Sequence, residues 1–381
     1  MVADSIQYYL VGGAVRDLLW GRLPTECDYA FSGSAEDFVQ ANPSACKVGR
    51  RDVQVFIMDG QEFMPLHGGT PESDLHRRDL TVNALALDEN GLLYAHPMAL
   101  ADLEQRILRA ASPHAFADDP ARVFRLARFA ALYPGCVVDP ATLEQARSVA
   151  VTEAFRALPA ERVGRELLKA LNGPEPGRCI TVLHEAGALE HWFAELAGAD
   201  GIPAGPPQYH THHVLGHLIE VMNRCAGDAM AAWMGLCHDL GKVLTDPEIL
   251  PHHYGHEATG MDAAERLAER LAMPNLHKKA GILASKLHMK AGKYETLRIG
   301  TRVDLLLEVH QARLHEPFWR LVRADSGRDL RPVVDRDLAL LLAVRLPEHY
   351  RNKGEKSGVY LRELRCRALA ESRNTRGTVT D

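Results

Sequence analysis

Two acids separated by a single residue, Glu26 and Asp28, stand in the stretch TECDYAF. Extended backbone turns alternate side chains to one face, so both carboxylates are expected on the same side of a strand. Paired acidic oxygens of this kind suit Mg²⁺, which takes one or two carboxylates and completes its shell from substrate phosphates. Two such ions can clamp an attacking hydroxyl and a departing phosphate group. Just upstream, GGAVRD (12–17) follows an apolar stretch and opens a helix. Adjacent glycines let backbone approach a phosphate closely, and a helix start offers free N–H groups. Gly13 and Arg16 are the candidates for that contact, Arg16 through its paired donors. The plainer readings are a tight structural turn and two surface acids at a strand end.

Two further segments carry matching chemistry. HRRDLTVNAL (76–85) sets Arg77 and Arg78 where they could hold phosphates, with Asp79 and Asn83 available to a ribose hydroxyl or to the arginines themselves. DDPARVFRLARF (118–129) spaces Asp119, Arg122, Arg125 and Arg128 three apart. On a helix that spacing drifts slowly round one face, so an acid and an arginine one turn apart can present acceptors and donors to a base edge. A salt-bridged exposed helix is the ordinary alternative.

The second half is rich in histidine: HTHHVLGHLIEV (210–221), WMGLCHDLGKVL (233–244) and PHHYGHEATG (251–260). His217, His238 and Asp239 fall in apolar helical runs. An adjacent His-Asp in a buried helix is costly unless the groups bind a metal or each other. Asp325, in LVRADSGRD, would complete a four-ligand set, with Asp304 as the other candidate. His213 competes with His217 for the first position, and His252, His253 and His256 are additional ligands, substrate contacts or a polar loop.

The elements that must position these residues read as follows. Residues 7–12 form a short strand into the Gly-Gly turn, AVRDLLWG a helix ending at Gly21, 28–31 and 53–59 two strands, and 80–95 a hairpin. Beyond Asp102 the apolar spacing is almost wholly helical, and Asp or Pro stands at the helix starts. GADGIPAGPPQ (198–208) is the linker candidate. The expected architecture is α+β: a small mixed-sheet head (1–102), an all-α neck and body (103–200), an all-α metal domain (201–330) and a basic helical tail (331–381).

At 381 residues the chain is too long for one ordinary core. A net charge of −6 announces no nucleic-acid binder, so any such contact falls to local basic patches. One is the stretch 350–381, with eight Lys/Arg against four Asp/Glu; by charge alone it reads as a solvated helix. Seven widely spaced cysteines without a CxxC pair argue against disulfides or a zinc ribbon. With neither a membrane-length apolar run nor a signal-peptide pattern, the cytoplasm is the expected location.

In order, GGAVRD, the acid pair, RRDLTVNA, DDPARVFRLARF and LPAERVGREL (158–167) resemble the class II bacterial tRNA nucleotidyltransferases, the CCA-adding enzymes and bacterial poly(A) polymerases, over about residues 8–195. The resemblance implies a nucleotidyltransferase that uses CTP and ATP on tRNA. Mg²⁺ would sit on Glu26 and Asp28, the triphosphate at Gly13 and Arg16, and the ribose near Arg78, Asp79 and Asn83. Asp119 and Arg122 would pair with the incoming C or A, supported by Arg125. The stretch 209–330 resembles the HD metal-dependent phosphohydrolase domains, implying a divalent metal on His217, His238, Asp239 and Asp325 and a phosphatase or 2′,3′-cyclic phosphodiesterase activity. Three departures stand out: Glu26 replaces an Asp, Ala95-His96-Pro97 replaces an acidic Asp-Pro, and 60–76 is shorter than in relatives, lacking a strand and a flexible loop. In this family the flexible loop is tied to the switch from C to A addition, so CC-only addition is the alternative outcome; a hydrolase with a degenerate head is another.

Overall fold

The computed structural model describes residues 6–48, 54–208 and 212–377. The chain packs as two compact units, Met1–Glu166 with Thr181–Ala188, and Leu167–Ile180 with Leu189–Asp381. The boundaries expected near 103 and 200 fall inside these units.

The first unit is built on seven strands: β1 (Tyr8–Val11), β2 (Asp28–Phe31), β3 (Cys46–Val48), β4 (Val55–Met58), β5 (Gln61–Pro65), β6 (Leu85–Asp88) and β7 (Leu93–Ala95). Their order is β3-β4-β5-β2-β1-β6-β7. β2 and β5 run parallel, and every other neighbouring pair is antiparallel. Alternation along the strands supplies a core on each face. One face gathers Tyr9, Val11, Ala30, Ala86 and Leu75. The other gathers Phe31, Phe56, Phe63 and Phe38, the last delivered by helix Ala35–Ala41. That helix is started by a reciprocal cap between Ser34 and Asp37.

The hairpin expected over 80–95 is β6–β7, preceded by a single 3₁₀ turn at Thr81–Asn83. Segment 60–76, expected to be shorter than in relatives, holds a strand not anticipated from the sequence: β5 pairs with both β4 and β2 and is followed by helix Pro71–Leu75. The connection between them holds one 3₁₀ turn, His67–Gly69. β3 was also not anticipated from the sequence.

Helices Ala99–Gln105, Arg122–Leu132 and Pro140–Ala150 follow in the first unit. Asp139 caps the last by accepting the Thr142 N–H, with Pro140 in the first turn, as the DP signal suggests. Two short strands, Ile107–Leu108 and Val137–Val138, interrupt the helical run and pair in parallel.

The second unit is helical. Val214–Arg224, Ala229–Cys237, His256–Arg270, Asn275–Gly292 and His315–Ser326 surround a core that includes Trp233, Phe318 and Trp319. Small residues set the spacing: a Cβ on Gly281 would stand 3.0 Å from Cys237 Sγ, so the helices approach through its bare backbone. No helix among the described residues is long and apolar enough to cross a membrane.

Candidate functional site

Gly12 holds φ 68° and ψ −126°, a region that glycine enters readily, and its N–H donates to the Leu85 carbonyl. This turns the chain from β1 directly into helix Gly13–Leu19. Val11, the last strand residue before the turn, is the register partner of Asp28. The Asp28 carboxylate is therefore carried at the end of β2, beside the glycine turn. Glu26 is placed differently from expectation. β2 begins at Asp28, and Glu26 lies in an exposed bend before it, so strand alternation does not set the direction of its side chain. A different acid shares the Asp28 face: Glu62 on β5 is its register partner across the parallel pair.

Four of the other motif residues, Arg16, Asn83, Asp79 and Arg125, form one bonded chain. Arg16 is buried; it donates to Asp17 Oδ1 through Nε (3.0 Å) and Nη2 (2.8 Å), and to Asn83 Oδ1 through Nη1. Its guanidinium lies 4.6 Å from the Tyr133 ring centre. Asn83 donates in turn to Asp79 Oδ1 at 3.0 Å, which also accepts the Leu80 N–H at 2.8 Å. Asp79 Oδ2 takes Arg125 Nε at 2.8 Å and Nη2 at 2.7 Å. Of the two roles open to Asp79 and Asn83, the buried geometry is that of residues positioning arginines. Burial alone would raise the Asp79 pKa; the Arg125 charge and the donated hydrogen bonds overcome it and bring the value down to about 2.

Arg78 stands at the glycine turn. It is held by Asp74 through Nε at 2.9 Å, and its Nη1 is 3.4 Å from where a Gly12 Cβ would lie. Arg122 donates to the backbone carbonyls of Arg77, Arg78 and Ala115 at 2.6–3.2 Å. Asp119 is 3.9 Å from Arg122 but accepts Arg162 Nη2 at 2.5 Å. Arg128 pairs with Glu166 at 3.0 Å. Arg162 and Glu166 both come from LPAERVGREL, so that segment braces helix Arg122–Leu132 and the Asp119 just before it.

The second unit brings a separate set together. His217 Nε2 is 3.2 Å from His238 Nε2 and 3.2 Å from Asp325 Oδ1. Asp239 Oδ2 lies 3.4 Å from His217 and 3.3 Å from His238. Lys242 bonds the same oxygen at 2.7 Å and anchors on the Ala204 carbonyl at 2.8 Å. His238 Nδ1 sits 2.8 Å from the Gly235 carbonyl, which can only accept. The proton is thus on Nδ1, and in the neutral ring the Nε2 lone pair faces the cluster. Burial works against charging His217 and His238, yet Asp239 and Asp325 raise both, His238 to about 10. Against the same burial, His238 and Lys242 hold Asp239 well below the usual carboxylate range. A site this favourable to positive charge, with imidazole and carboxylate donors converging, fits a divalent metal.

The open alternatives resolve on geometry. Asp304 is exposed and bound by both nitrogens of an Arg362 fork at 2.6 Å, whereas Asp325 joins the cluster. His213 caps helix Val214–Arg224 by accepting the Gly216 N–H, leaving His217 as the cluster residue. His252 stacks on Tyr254, and His253 bridges Thr245 and the Pro203 carbonyl. His256 does reach the cluster. So does His288, which sequence reasoning missed; neither it nor His277, the other histidine of helix Asn275–Gly292, stands in a local signature.

Comparison with known proteins now bears on both sites. The multifunctional CCA protein of Halorhodospira halophila is 34% identical over 96% of this chain and 97% of its own length. That of Pseudomonas aeruginosa is 36% identical over 84% of each chain. This chain belongs to the multifunctional CCA protein family. Within that family match, residues 138–199 fit a family model described as a probable RNA- and SrmB-binding site of polymerase A. The fold is that of solved CCA-adding enzymes. The Thermotoga maritima enzyme complexed with tRNA superposes with a TM-score of 0.66 at 18% identity, covering 96% of this chain and 87% of that one. A CCA-adding enzyme solved with CTP also gives 0.66 at 18% identity, over 96% and 86%. The match to the Halorhodospira halophila protein covers 96% of this chain and so extends over both units.

Proposed function

We propose that this chain extends tRNA at its 3′ end, adding CMP and then AMP from CTP and ATP without a nucleic-acid template. One observation carries the reading. An unbroken set of contacts runs from the glycine turn beside Asp28, through Arg16, Asn83, Asp79 and Arg125, into the helix that bears Arg122. Gly13, Arg16 and Arg78 would frame the triphosphate, Asp79 and Asn83 hold the arginines, and Asp119 and Arg122 face the base, with Arg125 locked behind them. The tRNA hydroxyl oxygen forms the new bond to the α-phosphorus as the bond to the β-phosphate oxygen breaks, releasing pyrophosphate. The exposed oxygen donors Asp28 and Glu26, with Glu62 in register, suit Mg²⁺. When bound, that ion would neutralise developing charge on the leaving group and lower the hydroxyl pKa.

The four-part division into head (1–102), neck and body (103–200), metal domain (201–330) and basic tail (331–381) is retained as a functional division. In it, 201–330 acts as an HD-type phosphohydrolase, phosphatase or 2′,3′-cyclic phosphodiesterase, on His217, His238, Asp239 and Asp325. Cytoplasmic action on tRNA is consistent with both activities.

The test is incorporation on two substrates, tRNA ending before CCA and tRNA ending in CC, with CTP, ATP or both, followed by sequencing of the ends. CCA on the first and a single A on the second is expected. CC on the first with no addition to the second would establish CC-only activity, the alternative raised by the short 60–76 segment. Asp28→Ala should abolish incorporation while preserving the circular-dichroism spectrum; undiminished activity would refute the assigned role.

A further inference from the structure

We infer that an arginine-lined cavity on the solvent face of helix His315–Ser326 binds a phosphate-bearing ligand of mononucleotide size, held by the guanidinium groups of Arg320 and Arg323. Neither proposed activity uses this cavity, and neither depends on it. It measures about 590 Å³ and lies wholly in the second unit, between that helix, the end of helix Val214–Arg224 and the start of helix Arg331–Ala343. Four arginines line it, Arg224, Arg320, Arg323 and Arg331, against two acids, Asp228 and Glu316.

Both acids are already committed. Glu316 precedes Arg320 by four residues, the spacing at which a helix pairs an acid with a base. Its carboxylate is instead taken by the Arg331 fork, Nη2 at 2.6 Å from Oε1 and Nη1 on the other oxygen. Asp335 holds Arg331 as well, 3.0 Å from Nε. Asp228 accepts the Ala231 N–H at 2.9 Å as the cap of helix Ala229–Cys237. Arg224 pairs with Glu220 at 2.5 Å and donates to the Ala324 carbonyl at 3.0 Å. Arg320 and Arg323 are left over. Arg320 donates to the uncharged Ala226 carbonyl at 2.5 Å and makes no ion pair among the described residues. Arg323 reaches only Asp329, at 3.9 Å, with its side chain 67% exposed. The two stand three residues apart on one helix, where like charges repel.

The surroundings hold these groups ready for an anion. Gly227, at φ 89°, lies against Arg320, and a Cβ there would stand 3.2 Å from Nη2. Bare backbone thus makes the space in which that guanidinium lies. Trp319, 1% exposed, gives the cavity an apolar floor. Charges beside such a low-dielectric wall attract more strongly than on open surface. Guanidinium forks offer paired N–H donors that match phosphate oxygens. The volume exceeds that of a bare phosphate and falls in the range of small-molecule sites, so a nucleoside has room beside it. A plain solvated helix face explains less. There Glu316 would pair with Arg320 one turn on, whereas here it turns across to Arg331 and leaves two cations in the cavity without an acid.

The test is phenylglyoxal modification of arginines in the full chain with EDTA present, located by peptide mass spectrometry. Protection is measured with inorganic phosphate, 5′-CMP, cytidine and tRNA at matched ionic strength. Phosphate and 5′-CMP should protect Arg320 and Arg323, with half-effect at or below about 1 mM, and cytidine should not. Stronger protection by tRNA than by 5′-CMP would assign the phosphate to an RNA strand; weaker protection would assign it to a free nucleotide. Arg320→Gln should raise the phosphate concentration that half-protects Arg323 at least about ten-fold, and Arg323→Gln should do the same for Arg320. Arg323→Gln removes no short contact of the fold, so it remains decisive if Arg320→Gln is destabilised. Far-UV circular dichroism and Co²⁺ uptake by the histidine cluster should be unchanged in Arg323→Gln. No protection, equal protection by sodium chloride or cytidine, or protection of Arg320 undiminished in Arg323→Gln would overturn the site. Each of these results would leave the nucleotidyltransferase and phosphohydrolase readings standing.

Discussion

Asp79→Asn is a quantitative probe of the network that joins the head motifs. Asp79 is 4% exposed, and its two oxygens accept from the Leu80 N–H, Asn83 and both Arg125 nitrogens. The variant keeps the shape but removes the charge, and its amide N–H₂ must face Arg125 or Asn83, donor against donor. The size of the loss follows from the pKa. A fall from 3.8 to about 2 corresponds to roughly 2 kcal/mol that the ionised form contributes and the neutral form lacks. Because the folded-state value is depressed, this contribution is complete above pH 4 and is lost as pH falls toward 2. Urea unfolding read by hydrogen exchange of peptides covering 79–88 and 122–132 isolates the first unit, whose transition need not coincide with that of the second. Asp79→Asn should destabilise it by roughly 2 kcal/mol at pH 7, a change of tens of fold in the unfolding constant. The gap should close as pH drops from 4 toward 2. A loss below about 0.5 kcal/mol at pH 7, the level of an ordinary surface substitution, would refute the assignment of Asp79 as the keystone of this network.

Two glycine substitutions test the backbone on which each site depends. Gly12→Ala forces a side chain into φ 68°, ψ −126°, with its Cβ 3.4 Å from Arg78 Nη1. A strain of about 1–3 kcal/mol is expected, with CMP incorporation reduced at least ten-fold in kcat/KM while cobalt binding is retained. Unchanged kcat/KM would show that the turn is not critical. Gly241→Ala would place a Cβ 2.0 Å from the His256 carbonyl and 2.6 Å from the Gly260 nitrogen. Displacing helix His256–Arg270 should cost about 3 kcal/mol and abolish cobalt binding, with CMP incorporation as the control. Wild-type cobalt stoichiometry would contradict the close backbone packing behind the cluster.

Chemistry was readable from the sequence wherever its signal was local. The glycine turn stands where expected, between a strand and a helix, and Arg122, Arg125 and Arg128 share one helix, although Asp119 lies just before it and Asn83 falls in a 3₁₀ turn ahead of the hairpin. Contacts decided by a remote partner were not legible. Glu26 was grouped with Asp28 by spacing, but the strand begins at Asp28, and the acid in register with it is Glu62 on β5. Asp119 has Arg122 one turn away, yet its short bond goes to Arg162.

The sequence by itself determined which residue types could meet a phosphate, a base or a metal, and which local elements would carry them, because turn chemistry and helical or strand periodicity act over a few residues. Only the tertiary structure decided which of them meet: Asp325 over Asp304, His217 over His213, and His288 at all. A ligand set is closed by helices far apart in the chain, and one histidine at the right depth of a helix leaves no periodic trace. Its partners are selected by packing, through close approaches such as Gly241 against His256.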